Sequence, residues 1–148
     1  VRSDFSLLPG AIEETLRWES PVQTATRHIV RDTTLAGVTL RAGETLQCML
    51  GAANRDAQYF DTPERFDIHR TSDVCSLGFG YGKHYCIGAG LARLEGQIGL
   101  RILLERLKNL RLHPGFPTQP QGHEFRTVPS LVVRWDVDNQ QKPKSEVS

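Results

Sequence analysis

A glycine-rich segment with a cysteine near its centre is the part of the chain best suited to chemistry. Residues 78 to 90 hold five of the 13 glycines, together with His84 and Cys86. A helical pattern begins directly after the cysteine, and the unpaired amides and dipole of a helix N-terminus favour negative charge. We therefore expect the thiolate form of Cys86 to be favoured, and a thiolate is a soft ligand for iron.

The neighbours of Cys86 suit the surroundings of such a ligand. Gly80 and Gly88 carry no side chain, so the backbone can come close to the sulfur or to a flat ligand. Phe79 is placed to shield the sulfur from water, and burial and hydrogen bonding set the properties of a thiolate–iron site.

Glycine-rich loops also bind nucleotide phosphates, but the spacing here argues against that use. A dinucleotide-binding G-x-G-x-x-G fails at its third glycine from each possible starting position in this segment. A Walker loop ending at Gly82-Lys83 would need glycine at position 77 and serine or threonine at position 84, where the chain has Leu77 and His84.

The cysteines leave other interpretations open. Cys48, Cys75 and Cys86 are odd in number and too widely spaced for a disulfide framework or a zinc ribbon. Taken alone, Cys86 also fits a buried small hydrophobe, where most free cysteines are found. It also fits the nucleophile of a thiol hydrolase with His84 as base, although no orienting Asp or Asn is evident.

The sequence predicts two helices, one near the start of the chain and one directly after the cysteine. Apolar residues recur at helical spacing from Ile87 to Leu107, which predicts a long core helix directly after the cysteine. A first helix is predicted over residues 9 to 20, because Pro9 suits a first helical turn and the sequence Ser20-Pro ends it.

Strand-like runs between residues 27 and 50, separated by turns at Ala36-Gly37 and around Gly43, predict a small antiparallel sheet. A late strand is predicted over residues 131 to 133. The fold class is therefore α+β, with residues 1 to 137 forming one folded portion and residues 138 to 148 a polar tail with little to bury.

The composition excludes several classes of protein. The chain has 148 residues, is 39% hydrophobic and carries a formal net charge of +1, so no basic excess is present for binding nucleic acid. The apolar runs fall far short of the ~18 residues of a membrane span, and no secretory signal is visible. We expect no membrane partner and a cytoplasmic location.

The loop residues, taken together, resemble a known signature. Phe79-x-x-Gly82-x-x-x-Cys86-x-Gly88 resembles the haem-binding signature of the cytochrome P450 family, the haem-thiolate monooxygenases, in its bacterial form. The segments 53–56 and 66–70 are also similar to bacterial members of that family. The mainly helical P450 fold is therefore expected, with the small sheet, the cysteine loop and the long helix as parts of it.

A second motif upstream supports the resemblance. Glu14-x-x-Arg17 is similar to the family's E-x-x-R motif, and it lies on the first predicted helix at the expected distance from the loop. The resemblance implies that Glu14, Arg17 and Arg70 form a structural ion-pair network that supports the fold and the loop. Removing one partner of a buried ion pair of this kind strongly destabilises the protein.

The resemblance also implies the cofactor and the residues that hold it. The cofactor would be haem b, with Cys86 as the proximal thiolate ligand of the iron and therefore the catalytic residue; a thiolate ligand favours O–O cleavage. Arg27 and His84 would bind the haem propionates. The haem-binding residues carried over are Phe79, Gly80, His84, Cys86, Gly88 and Arg27.

The implied reaction is insertion of one oxygen atom from O₂ into a small organic substrate. NAD(P)H-derived electrons would arrive through a ferredoxin or a flavoprotein. Lys83, with Arg93 and Arg101, is a candidate for a basic face on which that electron donor docks.

Family members are several-fold longer, and this chain resembles their C-terminal part. The helix with the acid–alcohol pair that handles oxygen and protons has no counterpart here. We therefore expect a truncated fragment that is inactive alone and self-associates through an exposed core. The alternative is a non-enzymatic haem-binding or assembly module that needs a partner chain.

Overall fold

A computed structural model describes residues 1–71 and 74–137 of the chain; the predicted tail at 138–148 lies outside the described residues. Single turns of 3₁₀ helix occur at Phe5–Leu7 and Gly82–His84. The helices and strands, in chain order, are α1 (Leu8–Trp18), β1 (Thr24–His28), β2 (Thr33–Leu35), β3 (Val38–Leu40), β4 (Thr45–Met49), α2 (Leu50–Ala53), α3 (Ala89–Arg106), β5 (Lys108–Leu112) and β6 (Val133–Asp136).

Helix α1 forms where the sequence predicts the first helix. Pro9 lies in its first turn, where a missing N–H leaves no intrahelical bond unmade. The helix ends at Glu19, whose amide donates to Thr15 O at 3.0 Å. Leu8, Glu14 and Arg17 are its buried residues, so its inner face is largely charged rather than apolar.

The strands pair as three separate two-stranded antiparallel ladders rather than as one small sheet. Strand β1 pairs with β4, β2 with β3, and β5 with β6. The β2–β3 hairpin turns at Ala36 and Gly37, both of which have positive φ, as a two-residue hairpin turn requires. Because each ladder has only two strands, these strands are mostly exposed, and among the described strand residues only Thr24 of β1 is buried.

The last ladder differs from its prediction. The late strand begins at Val133, where the predicted one ends, and its partner β5 starts directly after α3 at Lys108. The apolar pattern does not mark the end of the helix, since Leu107 and Leu110 are still three residues apart. Leu107 caps α3 in an extended conformation, which starts the strand.

Helix α3 forms after the cysteine as predicted and packs on α1. The contact centres on Gly96, where an added Cβ would lie 3.3 Å from Cδ1 of Ile12. Among the described residues of α3, only Ala89 is buried. Its apolar stripe is wider than the surface that α1 covers, and its exposed large side chains are Leu91, Leu94, Ile98, Leu100, Ile102 and Leu103.

The residues that the structure describes include no helix with the length and hydropathy needed to cross a bilayer.

Candidate functional site

The loop before α3 is closed on itself by main-chain hydrogen bonds. The Cys86 amide donates to Phe79 O at 3.0 Å, and the Gly80 amide donates to Leu77 O at 2.8 Å. Gly80 and Gly82 have φ of +77° and +73°, which residues with a Cβ rarely adopt. Gly80 and Gly82 therefore allow the turns that bring the Cys86 amide back to within hydrogen-bond distance of the Phe79 carbonyl.

Cys86 is presented at the surface at the entrance of α3. Its thiol is exposed, and its carbonyl accepts from the Ala89 amide at 3.2 Å, at the first residue of the helix. The next residue, Ile87, is fully exposed. This placement contradicts the interpretation of Cys86 as a buried small hydrophobe and leaves the sulfur open to a ligand. A Cβ added at Gly88 would lie 3.8 Å from the sulfur, in ordinary van der Waals contact with it.

The donor set around Cys86 suits one kind of iron site. The described residues contain no group of three His, Cys, Asp or Glu side chains able to hold a metal ion. One exposed thiol is a poor chelator of a free ion, whereas a single sulfur ligand suffices for an iron that already carries four nitrogen ligands. The residues present therefore fit haem.

Two further predicted haem-binding residues are exposed. His84 ends the 3₁₀ turn two residues before Cys86, and within the described part of the chain no hydrogen bond joins the two side chains. The thiol-hydrolase interpretation therefore lacks its nucleophile–base contact. Arg27 lies on β1 and donates to Thr26 O at 2.8 Å. No observation tests whether Arg27 and His84 bind the haem propionates, so this role stays a prediction.

The structure brings Glu14, Arg17 and Arg70 together beside the loop. Arg17 Nε and Nη2 each donate to a different carboxylate oxygen of Glu14 at 2.8 Å, a bidentate pair with both side chains 2% exposed. Arg70 Nε approaches the same carboxylate at 3.2 Å. The Asp67 amide donates to Glu14 Oε1 at 2.8 Å. The carboxylate is thus surrounded by donors.

These donors set the protonation of Glu14. Burial acts to raise the pKa of this carboxyl, but the hydrogen bonds from Arg17, the Asp67 amide and Arg70 outweigh it and lower the pKa below its ordinary value. Glu14 is therefore held as a carboxylate, and the network carries one more positive charge than negative. Arg17 Nη1 donates to the main-chain carbonyls of Asn54 and Pro63, both at 2.9 Å.

Asn54 is a buried residue beside the candidate site that the sequence did not single out. Its side chain is fully buried; Nδ2 donates to Ser20 Oγ, and Oδ1 accepts from the Leu77 amide, both at 2.7 Å. Leu77 directly precedes Gly78, whose position is so close to α1 that an added Cβ would lie 3.0 Å from Leu16 O. The available signal was Asn54's place in the family-like segment 53–56.

The predicted basic face is altered by the structure. Arg93 forms a bidentate ion pair with Glu13 and lies over the Phe79 ring, with its guanidinium carbon 4.8 Å from the ring centroid. Arg101 pairs with Glu105 at 2.8 Å on the same helix. Both arginines are thus paired with acidic side chains, whereas no ion pair of Lys83 occurs among the described residues.

The family of the chain follows from comparison with known proteins. The family model described as Cytochrome P450 matches residues 2–128. The chain belongs to the cytochrome P450 family.

Relatives in sequence and structure agree. Cytochrome P450 107B1 of Saccharopolyspora erythraea is 51% identical over 113 residues, 76% of this chain and 28% of that protein. Cytochrome P450 monooxygenase PikC of Streptomyces venezuelae is 44% identical over 138 residues, 91% of this chain and 33% of that protein. The crystal structure of CYP109E1 from Bacillus megaterium in complex with testosterone superimposes with a TM-score of 0.85 at 42% identity, covering 92% of this chain and 38% of that one.

The chain thus spans about a third of the length of the relatives it matches. The predicted fold class, α+β as the C-terminal part of the mainly helical P450 fold, is confirmed by these superpositions, with three two-stranded ladders in place of the one small sheet.

Proposed function

We propose that this chain supplies the proximal haem-thiolate side of a bacterial P450 monooxygenase, with Cys86 as the iron ligand. The observation that carries the proposal is the exposed thiol of Cys86 on a glycine-fixed loop at the entrance of α3. When bound, haem b would supply the oxygen chemistry of the family, with electron density donated by the thiolate.

The other loop residues hold the cofactor and exclude water. Phe79 shields the proximal side of the sulfur, and Gly80 and Gly88 keep side chains away from the ring. Arg27 and His84, both exposed, bind the two propionates, and Arg27 exchanges its bond to Thr26 O for a charge-assisted one.

The whole protein is proposed to insert one atom of O₂ into a small organic molecule, with electrons from NAD(P)H delivered by a ferredoxin or a flavoprotein. Named relatives support this class: Mycinamicin IV hydroxylase/epoxidase of Micromonospora griseorubida is 49% identical over 136 residues. The residues assigned to haem binding lie on the cysteine loop and on β1, and the selection of substrate is not assigned to them.

For the 148 residues alone we propose haem binding without oxygenase turnover, because the family's helix with the acid–alcohol pair for proton delivery has no counterpart among them. The exposed apolar residues of α3 favour self-association of these residues when they are isolated. A haem-binding or assembly module that acts with a partner chain is the second candidate, supported by the same exposed face. A native mass measurement separates them: a defined complex with another chain favours the module, and self-association alone favours the enzyme part.

The experiment is a reduced carbon-monoxide difference spectrum of the haem-loaded protein. We expect a strongly red-shifted Soret band that Cys86→Ser and Cys86→His abolish. Cys75→Ser is the matched control, since Cys75 is also an exposed thiol, and it should leave the band in place. Failure to take up haem, or a red-shifted band that survives Cys86→Ser, would overturn the proposal.

A further inference from the structure

Arg93 of α3 contacts the cysteine loop at two places. Its guanidinium carbon lies 4.8 Å from the centroid of the Phe79 ring, and Nη1 donates to the Tyr85 hydroxyl at 3.0 Å. Phe79 lies near the start of the loop, and Tyr85 directly precedes Cys86. A single side chain therefore spans the loop from its beginning to the residue beside the sulfur.

Glu13 of α1 fixes the plane of that guanidinium. Arg93 donates from Nε and Nη2 to the two carboxylate oxygens of Glu13, the second at 3.0 Å. A bidentate pair restricts the rotation of the arginine more than a single contact does, and the planar group can then stack on an aromatic face. The hydrogen bonds to Glu13 and Tyr85 also raise the pKa of Arg93 further, which keeps it cationic.

The position of Phe79 is linked to the backbone of Cys86. The main-chain carbonyl of Phe79 accepts the Cys86 amide at 3.0 Å, and this bond closes the loop. A contact that fixes the Phe79 ring therefore also limits how far the closing bond can open. Arg93 is 30% exposed and sits between α1, α3 and the loop, so the three elements meet at its side chain.

We propose that Arg93 is a positioning residue for Cys86: held by Glu13, it fixes Phe79 and Tyr85 and so keeps the loop in the conformation that presents the thiolate to iron. The proposal rests on the haem-thiolate function proposed above. It gives the Glu13–Arg93 ion pair a role in iron ligation in addition to its role in joining α1 to α3.

The chain contains a matched control on the same helix. Arg101 donates from Nε to Glu105 at 2.8 Å, and its guanidinium carbon lies 5.4 Å from the centroid of the Phe5 ring. The chemistry is the same, an ion pair with a cation–π contact, but the aromatic partner is at the N-terminal turn and not in the cysteine loop. Replacing either arginine should lower the general stability of the protein. Only replacing Arg93 should also disorder the cysteine loop.

The test compares Arg93→Gln, Arg93→Lys and Arg101→Gln in the haem-loaded protein. Two readouts are used: the fraction of the reduced carbon-monoxide complex in the red-shifted Soret band, and hydrogen exchange at the Cys86 amide. We expect Arg93→Gln to lower the red-shifted fraction and to speed exchange of that amide roughly tenfold. Arg93→Lys, which keeps the charge but loses the fork, should lie between. Arg101→Gln should leave both readouts as in the wild type.

Both readouts unchanged in Arg93→Gln, or the same changes in Arg101→Gln, would overturn the positioning role. If Arg93→Gln does not fold, Glu13→Gln replaces it, since that variant keeps the guanidinium and breaks only the bidentate pair. The same changes in both readouts are then expected at reduced size. No change in either readout would overturn the role. A wild-type protein without the red-shifted band overturns the haem-thiolate function itself. A red-shifted band indifferent to Arg93 overturns the positioning role alone.

Discussion

The side-chain oxygen of Asn54 accepts a hydrogen bond from the amide of Leu77 at 2.7 Å. The two residues are 23 positions apart in the chain, and Leu77 is the last residue before the glycine-rich segment. The other end of the Asn54 amide donates to Ser20 Oγ, just beyond the end of α1. One buried side chain therefore joins the first helix, the segment after α2 and the start of the cysteine loop.

Replacing Asn54 by leucine should destabilise the fold by ~2–4 kcal/mol, because it leaves the half-buried Leu77 amide and the buried Ser20 hydroxyl without this partner. Ser20→Ala, which removes one of the two Asn54 contacts together with the bond from Ser20 Oγ to Leu16 O, should cost ~1–2 kcal/mol. Urea unfolding of both variants checks the difference. Equal effects would show that the bond to the Leu77 amide contributes nothing of its own.

Removing Arg17 should be the most damaging change in the ion-pair network. Arg17→Met keeps the length of the side chain but leaves the Glu14 carboxylate buried with fewer donors, so a loss of ~3–5 kcal/mol is expected. The control is Arg41→Gln, whose pair with Asp32 is exposed on both sides and should contribute little to stability. A comparable loss in both variants, measured by urea unfolding, would contradict the special weight of the buried pair.

Stability should fall in acid through Glu14. The folded state holds the pKa of this carboxyl below its ordinary value of 4.5. A group with a lowered pKa stabilises the fold above the ordinary value, and that contribution is lost as the pH falls through the folded-state pKa. The free energy of unfolding should therefore decline below about pH 4.5, and Glu14→Gln should show a shallower decline. Identical pH profiles for both proteins would exclude Glu14 as a source of the acid sensitivity.

The sequence predicted the helices and the loop well because their signals are local. Pro9, the spacing of Glu14 and Arg17, and the glycines before Cys86 each act within a few residues, and the structure places them as elements that meet at one site. The signature glycines at positive φ are the clearest case, since residue type and backbone conformation correspond directly.

The unpredicted parts depend on contacts between distant positions. Nothing in the local pattern shows that Asn54 meets Leu77, or that Glu13 meets Arg93 across 80 positions. The division of the strands into three ladders likewise follows from which strands meet in space. For Arg93, local composition suggested a surface cation, whereas tertiary pairing with Glu13 determines its surroundings.

Two glycines in helices should respond to alanine with opposite signs. At Gly10 in α1 an added Cβ would lie 2.4 Å from the main-chain oxygen of Ile68, which can move only with its backbone. Gly10→Ala should therefore destabilise by ~1–3 kcal/mol. At Gly99 in α3 an added Cβ meets nothing within 4 Å, so Gly99→Ala should stabilise by ~0.5–1 kcal/mol through helix propensity. Thermal unfolding of both variants tests this, and a stabilising Gly10→Ala would show that α1 and the Ile68 segment are not held together.

Lys83 should contribute to docking of the electron donor in the holoenzyme. It is exposed on the 3₁₀ turn three residues before Cys86, whereas the guanidinium groups of Arg93 and Arg101 are paired with acidic side chains. Lys83→Glu should slow electron transfer from an acidic ferredoxin about three- to tenfold at low salt and weaken its salt dependence, because rim charges act mainly on the association rate. Lys83→Met should give a smaller effect of the same sign. Stopped-flow reduction at several ionic strengths measures both, and rates and salt dependence unchanged by the charge reversal would remove Lys83 from the docking surface.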